Sequence, residues 1–360
     1  MSASPANASP TSDQPDELDS RVRALGAEDD SDSRVLLFPE RVSIEVSKVV
    51  LGGRYEVIHH LDRGATADVY LARDLVTGFK VVAKVLDEKA ATTPDLRSRF
   101  LIGAQAAMKI CHPNVVQILE VDEPEAYRPY SIMEVLRGET LGHLLRRGEL
   151  LPAETAVLMS RHLASGLHAV HQAGIVHRDV KPDNIFLVGP IGEPTAAKIL
   201  DFGLAKCDTG GEENVVLGTG QYMSPEQVLG DHVDARSDVY ALGIVMFRMF
   251  TGHLPWDLEL GVELLRHQLV SPAPPPSWLN EDLDPRIEAI ILRALCKHPE
   301  NRFASMQELV DALDIILCIS DAPPKPIFDV SPSRVPDSYS PASAHARENA
   351  KLLNVTISLS

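Results

Sequence analysis

Residues 177–184 of this 360-residue chain read His-Arg-Asp-Val-Lys-Pro-Asp-Asn, and this stretch decides how the fold is interpreted. Asp179 carries a carboxylate that can accept the proton of a hydroxyl group. Lys181 follows two positions later, where its ammonium can neutralise charge that grows on a transferred group. Asn184 offers an amide oxygen, a hard ligand of the kind that Mg²⁺ binds. A base, a cation and a metal ligand so close in sequence predict a single reaction centre.

Further strings surround this stretch in a definite order. Residues 81–84 read Val-Val-Ala-Lys and precede it, whereas residues 201–203 read Asp-Phe-Gly and follow it. Residues 218–226 then read Gly-Thr-Gly-Gln-Tyr-Met-Ser-Pro-Glu, and residues 237–243 read Ser-Asp-Val-Tyr-Ala-Leu-Gly. A chance histidine with scattered carboxylates would not produce several independent strings in this order. They are therefore interpreted together.

In their order and spacing these strings resemble the signature set of protein kinases. The strings at 222–227 and 299–303 are similar to those of bacterial, eukaryotic-like serine/threonine kinases, and the resemblance covers about residues 54–317. It implies an α+β, bilobal protein-kinase fold with a small β-rich lobe and a larger helical lobe. It also implies ATP and Mg²⁺, and transfer of the γ-phosphate of ATP to Ser or Thr of protein substrates, the chain itself included.

The resemblance assigns the chemistry to particular side chains. Asp179 would accept the proton of the substrate hydroxyl, and Lys181 implies a Ser or Thr acceptor, because kinases of that specificity carry Lys there. Thr219 matches a threonine that hydrogen-bonds both of these side chains. Asn184 and Asp201 would hold Mg²⁺ against the phosphates.

The same resemblance predicts a nucleotide site between the two lobes. Lys84 would hold the α- and β-phosphates, and Met133 would stand as gatekeeper beside the adenine. Glu134 and Leu136 would supply backbone hydrogen bonds to the base from the connection between the lobes. The other residues that the resemblance assigns to the nucleotide are Leu61, Gly64, Val69, Val82 and Phe186.

Local patterns divide the chain into two lobes and two tails. Strand-like runs separated by turn signals fill residues 54–133, with one helix at 94–110. After a hinge at 134–137, residues 138–318 are mostly helical. The predicted helices of this second lobe are at 153–173, 237–251, 258–269, 284–296 and 305–317.

The two ends of the chain are predicted to be disordered. Residues 1–45 are rich in Ser, Pro, Ala and acids, and such a segment buries too little apolar surface to offset its ordering entropy. Residues 319–360 are rich in Pro and Ser, which is typical of extended linkers, and are predicted to be mostly disordered. The kinase-like domain is therefore expected at 54–318.

The composition of the chain indicates which binding partners and which cellular compartment to expect. The chain carries 34 Lys and Arg against 51 Asp and Glu, a net charge of −17, and such a surface repels nucleic acid and anionic membranes. Its four cysteines form no CxxC pair, which fits a reducing cytosol. No stretch is apolar over enough residues for a membrane span. We therefore expect a cytoplasmic protein whose partners are proteins.

The chain departs from the family pattern in the loop that should cover the phosphates. Relatives read Gly-x-Gly-x-x-Gly there, because the backbone must pass close to the phosphates. Here Asp62 and Ala67 stand at the outer positions and only Gly64 remains. The carboxylate of Asp62 adds like charge near a polyphosphate, at a cost of about 1 kcal/mol if it is solvated.

A second departure concerns the partner of Lys84. Counting back from His112, the helix position where the family carries a glutamate is Gly103. Gln105, the nearest polar residue, lies about 200° away around the helix. Without that ion pair we expect Lys84 to be less fixed and basal activity to be low, unless another acid or a partner protein supplies the carboxylate.

A third departure lies between residues 201 and 226. Many relatives carry phosphorylatable threonines shortly before Gly218, whereas this chain has Glu212 and Glu213. We expect one of these acids to imitate a phosphate partly and to pair with Arg178. A solvated acidic loop is the alternative.

Two other classes of function stay open at this point. A pseudokinase scaffold, which binds nucleotide weakly or not at all and acts through protein contacts, is favoured by Gly103 and by the altered loop. A small-molecule phosphotransferase with a related cleft is disfavoured by Lys181 and by the segment that ends in Ser-Pro-Glu.

Overall fold

The chain consists of a strand-rich part followed by a helix-rich part. A computed structural model describes residues 49–64, 66–124, 128–202, 220–259 and 261–319. The strands are β1 (Val50–Leu51), β2 (Tyr55–Arg63), β3 (Ala67–Asp74), β4 (Lys80–Leu86), β5 (Ile118–Asp122), β6 (Tyr130–Met133), β7 (Gly138–Thr140), β8 (Ile185–Val188) and β9 (Ala196–Ile199). The α-helices are α1 (Glu88–Thr92), α2 (Pro94–Ala107), α3 (Leu141–Arg146), α4 (Ala153–Gln172), α5 (Pro225–Leu229), α6 (Ala235–Thr251), α7 (Val262–Val270), α8 (Pro285–Ala294) and α9 (Met306–Ile319).

Strands β1 to β6 form a six-stranded antiparallel sheet in the order β1-β2-β3-β4-β6-β5. Successive side chains of a strand point to opposite faces. The register pairs Val69 with Lys84 and Val82 with Met133, so these four residues share one face of the sheet. The residues of β4 that pack into the apolar core on the other face are Val81, Ala83 and Val85.

Helix α2 corresponds to the helix predicted at 94–110. It begins with Pro94, whose missing N–H has no intrahelical partner to lose at a first helical position. It ends at Ala107, earlier than predicted. The buried residues of α2 are Phe100, Gly103, Ala104 and Ala107. The position where the family carries a glutamate is therefore on the inner face of this helix.

Helix α6 forms the centre of the helical lobe. Its residues 237–251 are buried apart from Arg248, as expected of a helix that is apolar all round. Asp234 caps its N-terminus by accepting a hydrogen bond from the backbone N–H of Arg236. Gly252 ends it with φ 79°, a left-handed conformation that glycine adopts without strain. Within the described ranges, no helix combines the length and the apolar character needed to cross a bilayer.

A small antiparallel sheet, β7-β8-β9, brings two loops together beside α4. The register pairs Ile185, at the start of β8, with Ile199, at the end of β9. The loop that precedes β8 and the loop that follows β9 therefore leave the sheet at the same end. Residues 177–184 and 200–202 lie side by side for this reason.

All six predicted helices are present, but their ends were harder to predict, and the short helices α1, α3 and α5 were not predicted. Helices α4, α6, α8 and α9 lie within a few residues of the predicted limits, whereas α7 begins at Val262 and not at 258. Gly261 precedes α7 as its N-cap, and glycine is unfavourable inside a helix. The sheet starts at Val50, ahead of the predicted start at 54, and residues 134–137 connect β6 to β7. Residues 1–48 and 320–360 lie outside the described residues.

Candidate active site

Three side chains of loop 177–184 converge. The Nζ of Lys181 lies 2.9 Å from Oδ1 and 2.7 Å from Oδ2 of Asp179. The Nδ2 of Asn184 donates to the Oδ2 and to the backbone oxygen of Asp179, both at 2.8 Å. All three side chains are partly or fully buried. The predicted base, cation and metal ligand thus form one cluster, held by charge-assisted hydrogen bonds.

The carboxylate of Asp238, in α6, holds the backbone of loop 177–184 through hydrogen bonds. It is 0% exposed and accepts hydrogen bonds from the backbone N–H groups of His177 and Arg178, both at 2.8 Å, and from His171 Nε2 at 2.7 Å. Burial alone would raise the pKa of Asp238, but these hydrogen bonds and the two nearby histidines hold it below its ordinary value. The ionised carboxylate therefore holds Arg178 in a left-handed conformation, φ 66°, that is uncommon outside glycine.

Asp201 is placed directly beside this loop. The backbone N–H of Leu200 donates to the oxygen of Asn184 at 2.8 Å, and His177 Nε2 lies 3.0 Å from the oxygen of Leu200. Phe202 is buried with its ring 5.4 Å from that of His177. Asp201 itself has φ 48°, and among the described residues it shares a positive φ outside glycine only with Arg178. Unusual backbone conformations thus concentrate at the site.

Lys84 forms its ion pair with Asp201. The Nζ of Lys84 lies 2.5 Å from Oδ1 of Asp201, with the lysine side chain 16% and the aspartate side chain 37% exposed. Gly103 stands on the buried face of α2, whereas Gln105 is exposed. The acid that meets Lys84 is therefore a predicted metal ligand and not a residue of α2.

Asn184 and Asp201 together offer a donor set that fits Mg²⁺. The amide nitrogen of Asn184 faces Asp179, which leaves its Oδ1 pointing away from that carboxylate. Mg²⁺ commonly takes one or two protein oxygens and completes its shell with phosphates and water. In the part of the chain that the structure describes, no group of three or more His, Cys, Asp or Glu side chains could hold a metal. These two oxygen donors fit a Mg²⁺ ion that takes its remaining ligands from phosphate oxygens and water.

The turn between β2 and β3 keeps its single glycine for a steric reason. The N–H of Gly64 donates to the oxygen of Ala67 at 2.8 Å, and a Cβ on Gly64 would lie 3.0 Å from that oxygen. Arg63 and Asp68 are register partners across the turn and form an ion pair with Nε 2.9 Å from Oδ1. The hairpin is thus closed by a cross-strand ion pair.

The register also shows where Asp62 stands. It pairs Asp62 with Val69, which is itself the partner of Lys84, so Asp62 shares the face of the sheet that carries the lysine. Its side chain is exposed. Leu61 is half-buried at an irregularity of the β2–β3 pairing just before it. The predicted like charge near a triphosphate is consistent with this arrangement.

Glu134 has a side-chain role that the sequence did not indicate. Its carboxylate is nearly buried and accepts hydrogen bonds from the backbone N–H of Gln117 at 2.8 Å and from Lys198 Nζ at 2.6 Å. Its own N–H donates to the oxygen of Gln117 at 3.1 Å. This ion pair joins the connection between the lobes to β9, the strand that leads to Asp201.

The apolar residues assigned to the base come from both sides of this connection. Val82 and Met133 belong to the large sheet, where they are register partners. Phe186 belongs to β8 of the small sheet, and Leu136 lies between the two sheets; both are buried. The residues assigned to the base thus belong to the two sheets and to the connection that joins them.

The segment after residue 219 lies against loop 177–184. Gln227 Nε2 donates to the oxygen of Arg178 at 3.0 Å, and Glu226 forms a buried bidentate pair with Arg302 at 2.7 and 2.8 Å. Thr219, Glu212 and Glu213 lie outside the described residues, so their proposed roles stay predictions.

Sequence reasoning assigned no supporting role to Asp238, His171 or Lys198, although Asp238 lies in the string at 237–243. A lone carboxylate at the start of an otherwise apolar helix was the available signal for Asp238, because a buried charge requires partners. Lys198 carried no local signal, since its partner Glu134 is distant in sequence.

Comparisons with known proteins agree with this geometry. Residues 55–312 match the family model described as protein kinase domain. The chain is 40% identical over 270 residues to the serine/threonine-protein kinase Pkn1 of Myxococcus xanthus, covering 74% of this chain and 38% of that protein. It is 36% identical over 282 residues to PknB of Mycobacterium leprae, covering 76% of this chain and 44% of that protein. The chain thus spans less than half the length of these relatives.

Among solved structures, the kinase domain of Mycobacterium tuberculosis PknI is similar, with a TM-score of 0.59 and 26% identity. The match covers 76% of this chain and 99% of that domain.

Proposed function

Because the chain belongs to the protein kinase family, we propose that it transfers the γ-phosphate of ATP to Ser or Thr hydroxyl groups of proteins. The observation that carries the proposal is the cluster of Asp179, Lys181 and Asn184, with Asp201 beside it and paired to Lys84. Phosphoryl transfer depends on positioning and on electrostatic stabilisation, and this cluster supplies both.

Each side chain then has a defined task. Asp179 accepts the proton of the acceptor hydroxyl, and Lys181, held 2.7 Å from it, stabilises negative charge on the transferred phosphoryl group. Lys84 holds the α- and β-phosphates. Asn184 and Asp201 would hold Mg²⁺, which supplies charge neutralisation across the phosphates when it is bound.

We test this proposal with Asp179→Asn. The carboxamide keeps the size of the side chain but cannot take up the proton, so we expect Mg²⁺-dependent labelling of protein acceptors from γ-labelled ATP to fall by at least about a hundredfold. Asp311→Asn, on the exposed face of α9, is the matched control and should retain full activity. Equal labelling by Asp179→Asn and by the unaltered chain would refute the proposal.

Basal turnover is proposed to be low. Asp201 is the partner of Lys84 and also a ligand for Mg²⁺, so one carboxylate serves two cations. With Gly103 in α2, the described residues show no other ion pair for Lys84.

A pseudokinase scaffold is the second candidate, favoured by Gly103 and by the exposed Asp62 in the phosphate hairpin. A scaffold would transfer no phosphate to any acceptor, whereas a weak enzyme transfers phosphate at a rate that Asp179→Asn abolishes. Thermal unfolding with and without Mg·ATP separates a nucleotide-binding scaffold from an empty one, since a ligand that binds the folded state raises the melting temperature.

The chain is further proposed to phosphorylate itself and to work in a reducing cytosol. Its described cysteines, Cys111, Cys296 and Cys318, are free. Mass spectrometry of the purified chain after incubation with Mg·ATP tests self-phosphorylation. No added phosphate on an active enzyme would refute that part, and disulfide-linked chains in fresh extracts would refute the cytosolic one.

A further inference from the structure

Gln268 of α7 is a fully buried polar side chain that reaches the segment following Thr219. It is 0% exposed, and its Nε2 donates to the backbone oxygen of Gln221 at 2.8 Å and lies 3.5 Å from that of Gly220. A buried amide is costly unless all of its groups are satisfied. None of the tasks proposed for the reaction centre involves this side chain.

A directed chain of hydrogen bonds sets the orientation of this amide. Lys297 Nζ donates to the hydroxyl oxygen of Tyr240 at 3.0 Å, and the Tyr240 hydroxyl donates to Gln268 Oε1 at 2.6 Å. When Lys297 is charged its ammonium only donates, so the tyrosine oxygen accepts from it and the tyrosine proton goes to Gln268. The NH₂ group of Gln268 must then face Gly220 and Gln221. We call Lys297, Tyr240 and Gln268 the relay.

The cation at the start of the relay is firmly held. Lys297 Nζ also donates to the backbone oxygens of His267 and Gln268 at 3.0 and 2.9 Å, in the last turn of α7, and lies 4.0 Å over the ring of Trp256. The negative end of a helix and an aromatic face both favour a cation. Burial, with the charge of Arg302 nearby, nevertheless lowers the pKa of Lys297 to about 7.

The segment that the relay holds borders the reaction centre on the side of the helical lobe. Gln227 Nε2 bonds the oxygen of Arg178, next to Asp179, and Arg248 donates to the hydroxyl of Tyr222 at 2.8 Å. The nucleotide is assigned to the opposite side of the reaction centre, next to the face of the large sheet that carries Lys84. In an in-line transfer the acceptor approaches opposite to the leaving group. Residues 220–227 therefore stand where an acceptor protein would dock.

We propose that the relay positions the acceptor protein by fixing the backbone of Gly220 and Gln221. This inference rests on the proposed function and adds to it three positioning residues, none of which touches the reacting atoms. It predicts that loss of the relay weakens acceptor binding and leaves nucleotide binding unchanged. If the relay served stability alone, its loss would lower the melting temperature without weakening acceptor binding more than nucleotide binding.

The experiment compares Tyr240→Phe and Gln268→Met with the control Gln307→Met, which makes the same chemical change on the exposed face of α9. For either relay variant we expect kcat/KM for a generic protein acceptor to fall about tenfold through KM, the loss of about one hydrogen bond, while KM for ATP stays unchanged. An unchanged kcat/KM for the acceptor, or an equal loss for ATP and acceptor, overturns the proposal. Lys297→Arg keeps the cation and should retain more acceptor affinity than Lys297→Met.

A second measurement does not depend on activity. Amide hydrogen exchange of residues 220–223 should be faster in Tyr240→Phe and Gln268→Met than in Gln307→Met. Equal exchange overturns the proposal even in an active enzyme. A wild-type chain that transfers no phosphate refutes the proposed function instead, and the exchange rates then decide alone whether the relay holds the segment. Tyr240→Phe removes only one oxygen atom, so both measurements can still be made on this variant if Gln268→Met does not fold.

Discussion

Gly103 and Asp201 decide how Lys84 is held. Gly103→Glu adds a carboxylate on the inner face of α2, which frees Asp201 to bind metal. We expect turnover with saturating acceptor to rise about tenfold, the effect of one charge-assisted hydrogen bond. Gly103→Gln, of similar size but neutral, is the control and should show no gain. Turnover that is unchanged or lower in Gly103→Glu would contradict the proposed low basal activity.

The convergence of the three side chains of loop 177–184 could be predicted from the sequence, but the ion pair of Lys84 could not. Asp179, Lys181 and Asn184 lie within one loop, so their spacing alone brings them together. The absence of the usual glutamate at Gly103 could also be read from the chain. That Asp201 takes its place beside Lys84 depends on where β9 ends relative to β4, which only the packed lobes determine.

Among the elements, the β2–β3 hairpin carries the clearest consequence for nucleotide binding. Asp62 shares a face with Lys84, and its charge opposes a triphosphate. Asp62→Asn keeps the acceptor for the N–H of Arg63 and removes the charge. We expect the Kd for Mg·ATP, measured by calorimetry, to fall about fivefold, the equivalent of about 1 kcal/mol. Asp95→Asn, on exposed surface of α2, should leave the Kd unchanged; equal Kd values for Asp62→Asn and the unaltered chain would exclude this role.

Element types followed from periodicity, whereas their limits followed from local chemistry. Helices α4 and α9 carry long apolar patterns and were predicted to within a few residues. Helix α7 begins late because Gly261 interrupts the pattern. The ion pair that closes the β2–β3 hairpin, Arg63 with Asp68, was not predicted, because it depends on strand register.

For the molecule as a whole, buried carboxylates make the fold sensitive to acid. Asp74 is an example: burial opposes its charge, but hydrogen bonds from Arg54, Val76 and Thr77 lower its pKa from 3.8 to about 2. Below pH 3.8 the unfolded chain takes up a proton that the folded chain does not, so stability is lost as the pH falls toward 2.

We therefore expect Asp74→Asn to lower the free energy of unfolding by about 2 kcal/mol at pH 7, and by progressively less between pH 4 and about pH 2. Urea titrations at several pH values measure this difference. Asp311→Asn, on the exposed face of α9, serves as the control and should follow the unaltered chain. A difference that stays constant between pH 7 and pH 2 would show that charge is not its cause.

The two-lobed architecture was predicted from the change of pattern near residue 138, and the structure has it. The packing between the lobes was beyond the sequence, because contacts such as Lys198 with Glu134 join residues that no local pattern relates.

Asp238 has a consequence for how this site can be damaged. The carboxylate lies outside the proposed reaction centre, yet it determines the path of the backbone at His177 and Arg178 from within the buried helix α6. A substitution among the neighbouring interior side chains that shifts α6 slightly would misalign the base without touching it. Such a substitution would lower catalysis in an enzyme that still binds its nucleotide, although the altered residue would lie in the apolar core of the helical lobe.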